Sequence, residues 1–316
     1  MSSVDVVVPC YNYGRYLEQC VESVLSQEGV DLRVLIIDDC SDDSTPDVGG
    51  NLARRDARVV FTRHAVNIGH IATYNEGLLD WATADHSLLL SADDLLTTGA
   101  LGRVVRVMDA HPEVVLAFGG DIPFAEEPAC PPAAELAVQF AYQIVSYEEF
   151  LATSCSLGHT PIQAPTAVVR TATQKEVGGF LPNLPHSGDT EIWLRLAALG
   201  KIAVLNTAQA CRRLHAQSMS TRYSNISRLE EQRRAFAVHF RGRGGLIPER
   251  ARLWRTLCQA LAKRAFWDGS IALEQGNQVL YRESLRYAES LWPGIRLWPA
   301  WWRLQVKRLC WNSSRQ

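Results

Sequence analysis

His86-Ser87-Leu88-Leu89-Leu90-Ser91-Ala92-Asp93-Asp94 is a short apolar run that ends on two adjacent carboxylates. The run reads as a buried strand, and the acidic pair then stands at the strand's carboxyl end, where open α/β sheets bind their ligands. Neighbouring Asp side chains repel each other unless a cation or hydrogen-bond donors compensate, and hard divalent ions such as Mg²⁺ or Mn²⁺ prefer oxygen ligands. The pair therefore points to a metal site. Asp is also common in strand-to-helix turns and as a helix N-cap, which is the plainer reading of these residues taken alone.

Outward from this strand the same alternation repeats. Residues 4–8 form a β-branched run, Val4 and Val6 to Val8, broken only by Asp5, and 16–27 places Leu17, Val21, Val24 and Leu25 at helical spacing. Residues 32–37 and 59–62 read as further strands, 45–55 and 71–81 as helices. After the Asp pair a helix-like stretch carries Leu101, Val104, Val105 and Met108 on one face, and 114–118 is another buried strand. This β-α-β-α order predicts a Rossmann-like α/β fold: a mostly parallel sheet flanked by helices, with functional loops at the strands' carboxyl ends. Residues 119–165 break the pattern with Pro123, Pro128, Pro131, Pro132, Pro161 and Pro165, as insertions that border a site often do. A strand over 166–170, a helix over 190–199 and a strand over 202–205 resume it. The predicted division is a sheet domain over 1–221, with halves 1–118 and 119–221, and a helical region over 222–316.

The 316 residues are 47% hydrophobic and 21% charged, which excludes disorder, and a net charge of −2 gives no general reason to expect nucleic acid as a partner. Eight scattered cysteines without a C-x-x-C pair, and no signal peptide, fit a cytoplasmic protein. No apolar run reaches the ~20 residues of a membrane span, so membrane contact would be peripheral. From Leu291 onward lie Trp292, Trp298, Trp301, Trp302 and Trp311 with Arg296, Arg303, Lys307, Arg308 and Arg315, and no acidic residue. That mixture suits a headgroup interface; packing against the sheet domain is the alternative.

Val8-Pro9-Cys10-Tyr11-Asn12-Tyr13, Ile36-Ile37-Asp38-Asp39-Cys40-Ser41-Asp42-Asp43-Ser44, Asn67-Ile68-Gly69-His70, Asn75-Glu76-Gly77, Ser91-Ala92-Asp93-Asp94, Gly178-Gly179-Phe180 and Ser187-Gly188-Asp189-Thr190-Glu191 follow one another in an order that resembles glycosyltransferase family 2. The resemblance spans roughly the first 220 residues. It implies the GT-A fold and inverting transfer of a sugar from a nucleotide diphosphate, of UDP or dTDP type, to a glycan or lipid-linked acceptor, as in cell-surface polysaccharide biosynthesis.

By the same resemblance Asp39 reads a uracil or thymine ring, Pro9 and Tyr11 line its pocket, and Asn67 and Gly69 border the donor. Asp93 approaches the ribose or diphosphate, Asp94 binds Mg²⁺ or Mn²⁺, and Asp189 is the general base, with Glu191 as its nearest competitor. His215, in Arg212-Arg213-Leu214-His215, is a further candidate for the metal or diphosphate. Each position has a plainer reading as well: an Asx turn for Asp38, Asp39 and Ser41, an N-cap for Asp189, a core position for Trp193, and a solvated strand end for Arg212 and Arg213. Ser91 departs from the family's acidic motif, which often carries Asp there, and keeps open a non-catalytic donor-binding or scaffold protein. The processive Q-x-x-R-W motif is missing, so single transfers are expected. The first strand is not followed by the G-x-G-x-x-G of a dehydrogenase or the Gly-rich triphosphate loop of a nucleotidylyltransferase.

Overall fold

The computed structural model describes residues 2–125, 140–215 and 225–313, with side chains to residue 307. Two compact units divide the chain, Met1–Phe150 with Ile162–Ser218, and Leu151–Pro161 with Met219–Gln316. The segment Leu151–Pro161, read from sequence as part of the sheet domain, belongs to the helical unit.

The first unit begins β1 (Ser3–Cys10), α1 (Gly14–Leu25), β2 (Asp31–Asp38), α2 (Thr45–Arg55), β3 (Val59–Arg63), α3 (His70–Asn75) and β4 (His86–Leu89). The predicted helix over 71–81 is α3 followed by a π-helical stretch, Glu76–Trp81. Gly77 allows this stretch to lie on the sheet, since a Cβ there would stand 2.3 Å from Val7 Cγ1. Val4, Val6 and Val8 pack on the opposite side, with Leu17, Val21 and Val24 of α1. Burial on both faces is why β1 is apolar without alternation from Val6 to Val8, and its buried Asp5 is paired with Arg33.

A two-residue strand, β5 (Leu95–Leu96), follows the Asp pair where a helix-like stretch was expected; α4 (Ala100–Ala110) starts only after Gly99, whose left-handed φ of 70° turns the chain. β6 (Val114–Ala125) outruns its predicted end, and β7 (Tyr142–Val145) and α5 (Tyr147–Leu157) give regular structure to part of the proline-rich segment. Pro128, Pro131 and Pro132 lie outside the described residues. The strand expected over 166–170 is shorter, β8 (Val168–Arg170), after a 3₁₀ turn; then come α6 (Thr171–Val177), α7 (Gly188–Ala197) and β9 (Lys201–Leu214).

The sheet order is β3-β2-β1-β4-β8-β6-β9-β5, with β7 also on β9. Six of its nine strands run one way and β5, β7 and β8 oppose them, so the sheet is mostly parallel. The chain steps from β1 outward to β3 and returns to β4 on the other side of β1. The carboxyl ends of β1 and β4 therefore flank a topological switch point.

The helical unit contains α8 (Asn225–Arg241), α9 (Arg250–Glu274), α10 (Gln278–Leu291) and α11 (Pro299–Ser313). Trp298 and Trp301 pack against Phe266 of α9 with ring centroids at 5.2 and 5.9 Å, and Ile295 and Leu304 are buried, so these tail residues build this unit's own core. Trp302 and Val306, 62% and 59% exposed, face outward. Among the described residues no helix is long and apolar enough to cross a membrane.

Candidate active site

Register places the base-side residues together. Cys10 pairs with Asp38 and Asp38 with Arg63, so Tyr11, Asp39 and His64 stand side by side just past the ends of β1, β2 and β3. Tyr11 is 47% exposed, while Asp39 is buried. Asp39 Oδ1 accepts the Ile68 amide at 2.8 Å and faces His64 Nδ1 at 2.8 Å; Oδ2 accepts the Gly69 amide at 2.9 Å. Asn67 Oδ1 takes the same Gly69 N–H at 3.1 Å. A carboxylate oxygen accepts two bonds, so Oδ2 keeps capacity for one more donor. The Asx turn belongs to Asp38, whose Oδ1 accepts the Ser41 amide, and not to Asp39. Asn12 and Cys40, both left-handed at φ 59° and 64°, sit in two laced loops: Ser41 Oγ accepts the Asn12 amide, and Asn12 Oδ1 that of Asp42.

The acidic pair is tied to the far end of β9. Leu95 and Leu96 pair with Cys211 and Ala210, Asp94 Oδ1 accepts the Arg213 amide at 2.9 Å, and His215 Nε2 lies 2.9 Å from Asp93 Oδ2. Arg213 is buried and not a solvated strand end. Its guanidinium donates to the Asp93 carbonyl and Gln19 Oε1 and lies over the rings of Tyr16 and Phe124. Arg212 pairs with Asp121. Burial, and then the charge of Asp93, push the Asp94 carboxyl up to about 7.

A divalent ion fits what stands here. Asp94 is a buried carboxylate beside a second one, and His215 Nδ1 is buried among Tyr13 and Tyr16 without a hydrogen-bond partner. Among the described residues no group of three or more His, Cys, Asp or Glu could hold an ion unaided, so donor phosphate oxygens would have to complete the shell.

Asp189 lies in the first turn of α7, whose N-cap is Ser187, so Asp189 is not the cap. Gly188 approaches Phe180 and Ile71, which brings this turn against α3. Tyr74 of α3, its ring on Phe180, has a phenol pushed up by burial and then by the charges of Asp93 and Asp189. Its phenol lies close enough to Asp93 and Asp189 to feel both charges.

Glu191 is held in a buried ion pair. It is 1% exposed, and both oxygens lie 2.8 Å from Arg195 Nε; Arg195 in turn donates to the carbonyls of Val177 and Gly179. Those carbonyls flank the Gly178-Gly179-Phe180 turn, which docks on Asn75: its Oδ1 accepts the Phe180 amide at 2.7 Å and its Nδ2 donates to the Phe180 carbonyl at 3.0 Å. Trp193 is a core residue. Sequence reading missed His64, Tyr74 and the burial of Arg213; only the i,i+4 spacing of Glu191 and Arg195 was legible as a pair.

The model of the family described as "Glycosyl transferase family 2" matches residues 5–163. The chain belongs to that family. An uncharacterized glycosyltransferase of Haemophilus influenzae is 23% identical over 70% of this chain and 68% of its own length. An uncharacterized protein of Sinorhizobium fredii is 36% identical over 36% of this chain, but only 13% of that larger protein is matched. Among solved structures, Staphylococcus aureus TarS (residues 1-349, in complex with UDP-GlcNAc) superposes with a TM-score of 0.66 at 19% identity, covering 92% of this chain and 81% of that one. A Pyrobaculum calidifontis mannosyltransferase in complex with GDP-Man and Mn²⁺ gives 0.58 at 18% identity, covering 98% and 86%. At such identities these likenesses establish the GT-A fold.

Proposed function

We propose that this family 2 glycosyltransferase is an inverting, metal-assisted enzyme that moves one sugar at a time from a UDP or dTDP donor to a saccharide or lipid-linked acceptor. The observation that carries this is the meeting of Asp93, Asp94, Arg213 and His215 at the ends of β4 and β9, beside the switch point where Tyr11 and Asp39 end β1 and β2. Pro9 and Tyr11 wall the base, and the spare acceptor capacity of Asp39 Oδ2 suits its ring N–H. Asn67 and Gly69 border the nucleoside, and Asp93 orients the ribose and diphosphate. Asp94 and His215 would hold Mg²⁺ or Mn²⁺, which when bound neutralises charge on the leaving diphosphate.

Asp189 takes the proton of the acceptor hydroxyl as that oxygen bonds to the anomeric carbon; the bond from that carbon to the diphosphate breaks and the diphosphate leaves with the electron pair. The lipid-linked option is supported by a Campylobacter jejuni relative, 33% identical over 34% of this chain, named GalNAc(5)-diNAcBac-PP-undecaprenol beta-1,3-glucosyltransferase. The exposed Trp302 and Val306 suit a cytoplasmic membrane surface.

A panel of UDP-, dTDP- and GDP-sugars titrated with Mn²⁺ and with chelator tests the donor side. One pyrimidine donor should bind at least about tenfold tighter with Mn²⁺, and Asp94→Asn should remove that gain. Equal affinities with ion and with chelator would sink the metal assignment.

A further inference from the structure

His64 is used by none of the steps above, yet it sits between two carboxylates. Its Nδ1 lies 2.8 Å from Asp39 Oδ1 and its Nε2 lies 2.8 Å from Glu76 Oε2. A neutral imidazole carries one N–H, so it would turn a lone pair toward one of the two carboxylates; the imidazolium donates to both. We infer that His64, as an imidazolium bridging Asp39 and Glu76, is the positioning residue that holds Asp39 in place to accept the ring N–H of a pyrimidine nucleoside diphosphate. The inference rests on the reading of Asp39 as the base acceptor.

The groups that face the ring come from two elements, Asp39 at the end of β2 and Glu76 at the start of the π-helical stretch. The neighbouring charge, Arg63, is engaged elsewhere: its Nε lies 3.1 Å from Asp38 Oδ2 and it donates to the Ser41 carbonyl. The His64 amide donates to the Asp38 carbonyl, which anchors the ring beside its target. Asp39 has its rotamer fixed from three directions, by His64 and by the amides of Ile68 and Gly69, so that only Oδ2 retains acceptor capacity. Burial alone would lower the His64 pKa, but the bonds to Asp39 and Glu76 outweigh it and raise it above 6.5. The sign follows. The network is fully present below the ordinary histidine range and is lost as pH rises through the raised value, when one carboxylate loses its donor.

The experiment titrates UDP with Mn²⁺ into parental protein, His64→Gln, Glu76→Gln and Asp39→Asn between about pH 6 and pH 8.5, with melting temperatures for each. The ratio of variant to parental Kd cancels the ionisation of phosphate and metal site. For His64→Gln it should be about tenfold at the acid end and fall toward one as parental His64 deprotonates. A ratio of one at every pH, with Asp39→Asn weakened, overturns the role of His64 and leaves the base reading standing. Unchanged affinity in Asp39→Asn, or no UDP binding by the parental protein, overturns both. Should His64→Gln fail to fold, Glu76→Gln decides: removing one anion must move the parental step to lower pH, and an unmoved step overturns the inference.

Discussion

Asp189 and Glu191 stand two residues apart in the first turn of α7, and substituting each by its amide separates chemistry from architecture. Glu191→Gln removes the charge that both Arg195 contacts rely on, in a site 1% exposed, and turns an amide N–H₂ toward a guanidinium. Breaking a buried pair by removing one partner costs about 3–5 kcal/mol. Arg195 is 20% exposed and keeps the Val177 and Gly179 carbonyls, so about 2–3 kcal/mol is expected, or a fall in Tm of about 4–10 °C. Asp189→Asn keeps an oxygen for the Thr190 amide and gives up a carboxylate's favourable interaction with the helix N-terminus, about 0.3–1 kcal/mol. Turnover should reverse the order. Asp189→Asn falls by about 10² to 10⁴ at unchanged donor affinity, whereas Glu191→Gln, assayed well below its melting point, stays within about tenfold of the parent. The assay needs melting curves, donor affinity and product formation on the same preparations. Loss of turnover in Glu191→Gln at parental Tm, with Asp189→Asn active, would refute the assignment of both residues.

The docking turn gives another test: Gly179→Ala places a Cβ 2.3 Å from Asn75 Oδ1, so the Asn75 bonds to Phe180 must yield and stability should fall by about 1–3 kcal/mol in denaturant titration. For the membrane reading, Trp302→Gln with Val306→Gln should abolish co-sedimentation with anionic liposomes at low salt while leaving the melting curve intact; retention of binding would exclude this face. Truncation after Leu291 is the poorer test, because it removes Ile295, Trp301 and Leu304 from the helical core.

How legible the chain was follows from how its residues are buried. The centres of β1, β2 and β4 are covered on both faces, so the stretches 6–8, 34–37 and 88–90 are apolar runs that announce a parallel sheet at once. β9 carries Gln209, Arg212 and Arg213 among its apolar residues because its far end lines the site, and only 202–205 reads as a strand. β5 is two residues long and owes its existence to Cys211 and Ala210 across from it, a partner no local pattern encodes. The acidic pair was legible from its place after a strand. His64 was not, because a lone histidine carries no periodicity, and its role lies in register with Asp39 and in a π-helical turn that presents Glu76.

The loop over the base side is held almost wholly by main-chain groups: Asp39 grips the amides of Ile68 and Gly69, not their side chains. Such a grip is blind to sequence. Val66 and Ile68, 65% and 46% exposed, project from a backbone that would stay put whatever they became. Gly69, at φ 87°, and Asn67, whose Oδ1 accepts the Gly69 amide, are the positions tied to their identity. On the proposed reading of Asp39, positions 66 and 68 are thus a natural place to randomise in a library seeking new donors, since they can vary beside the base pocket without loosening what holds the loop.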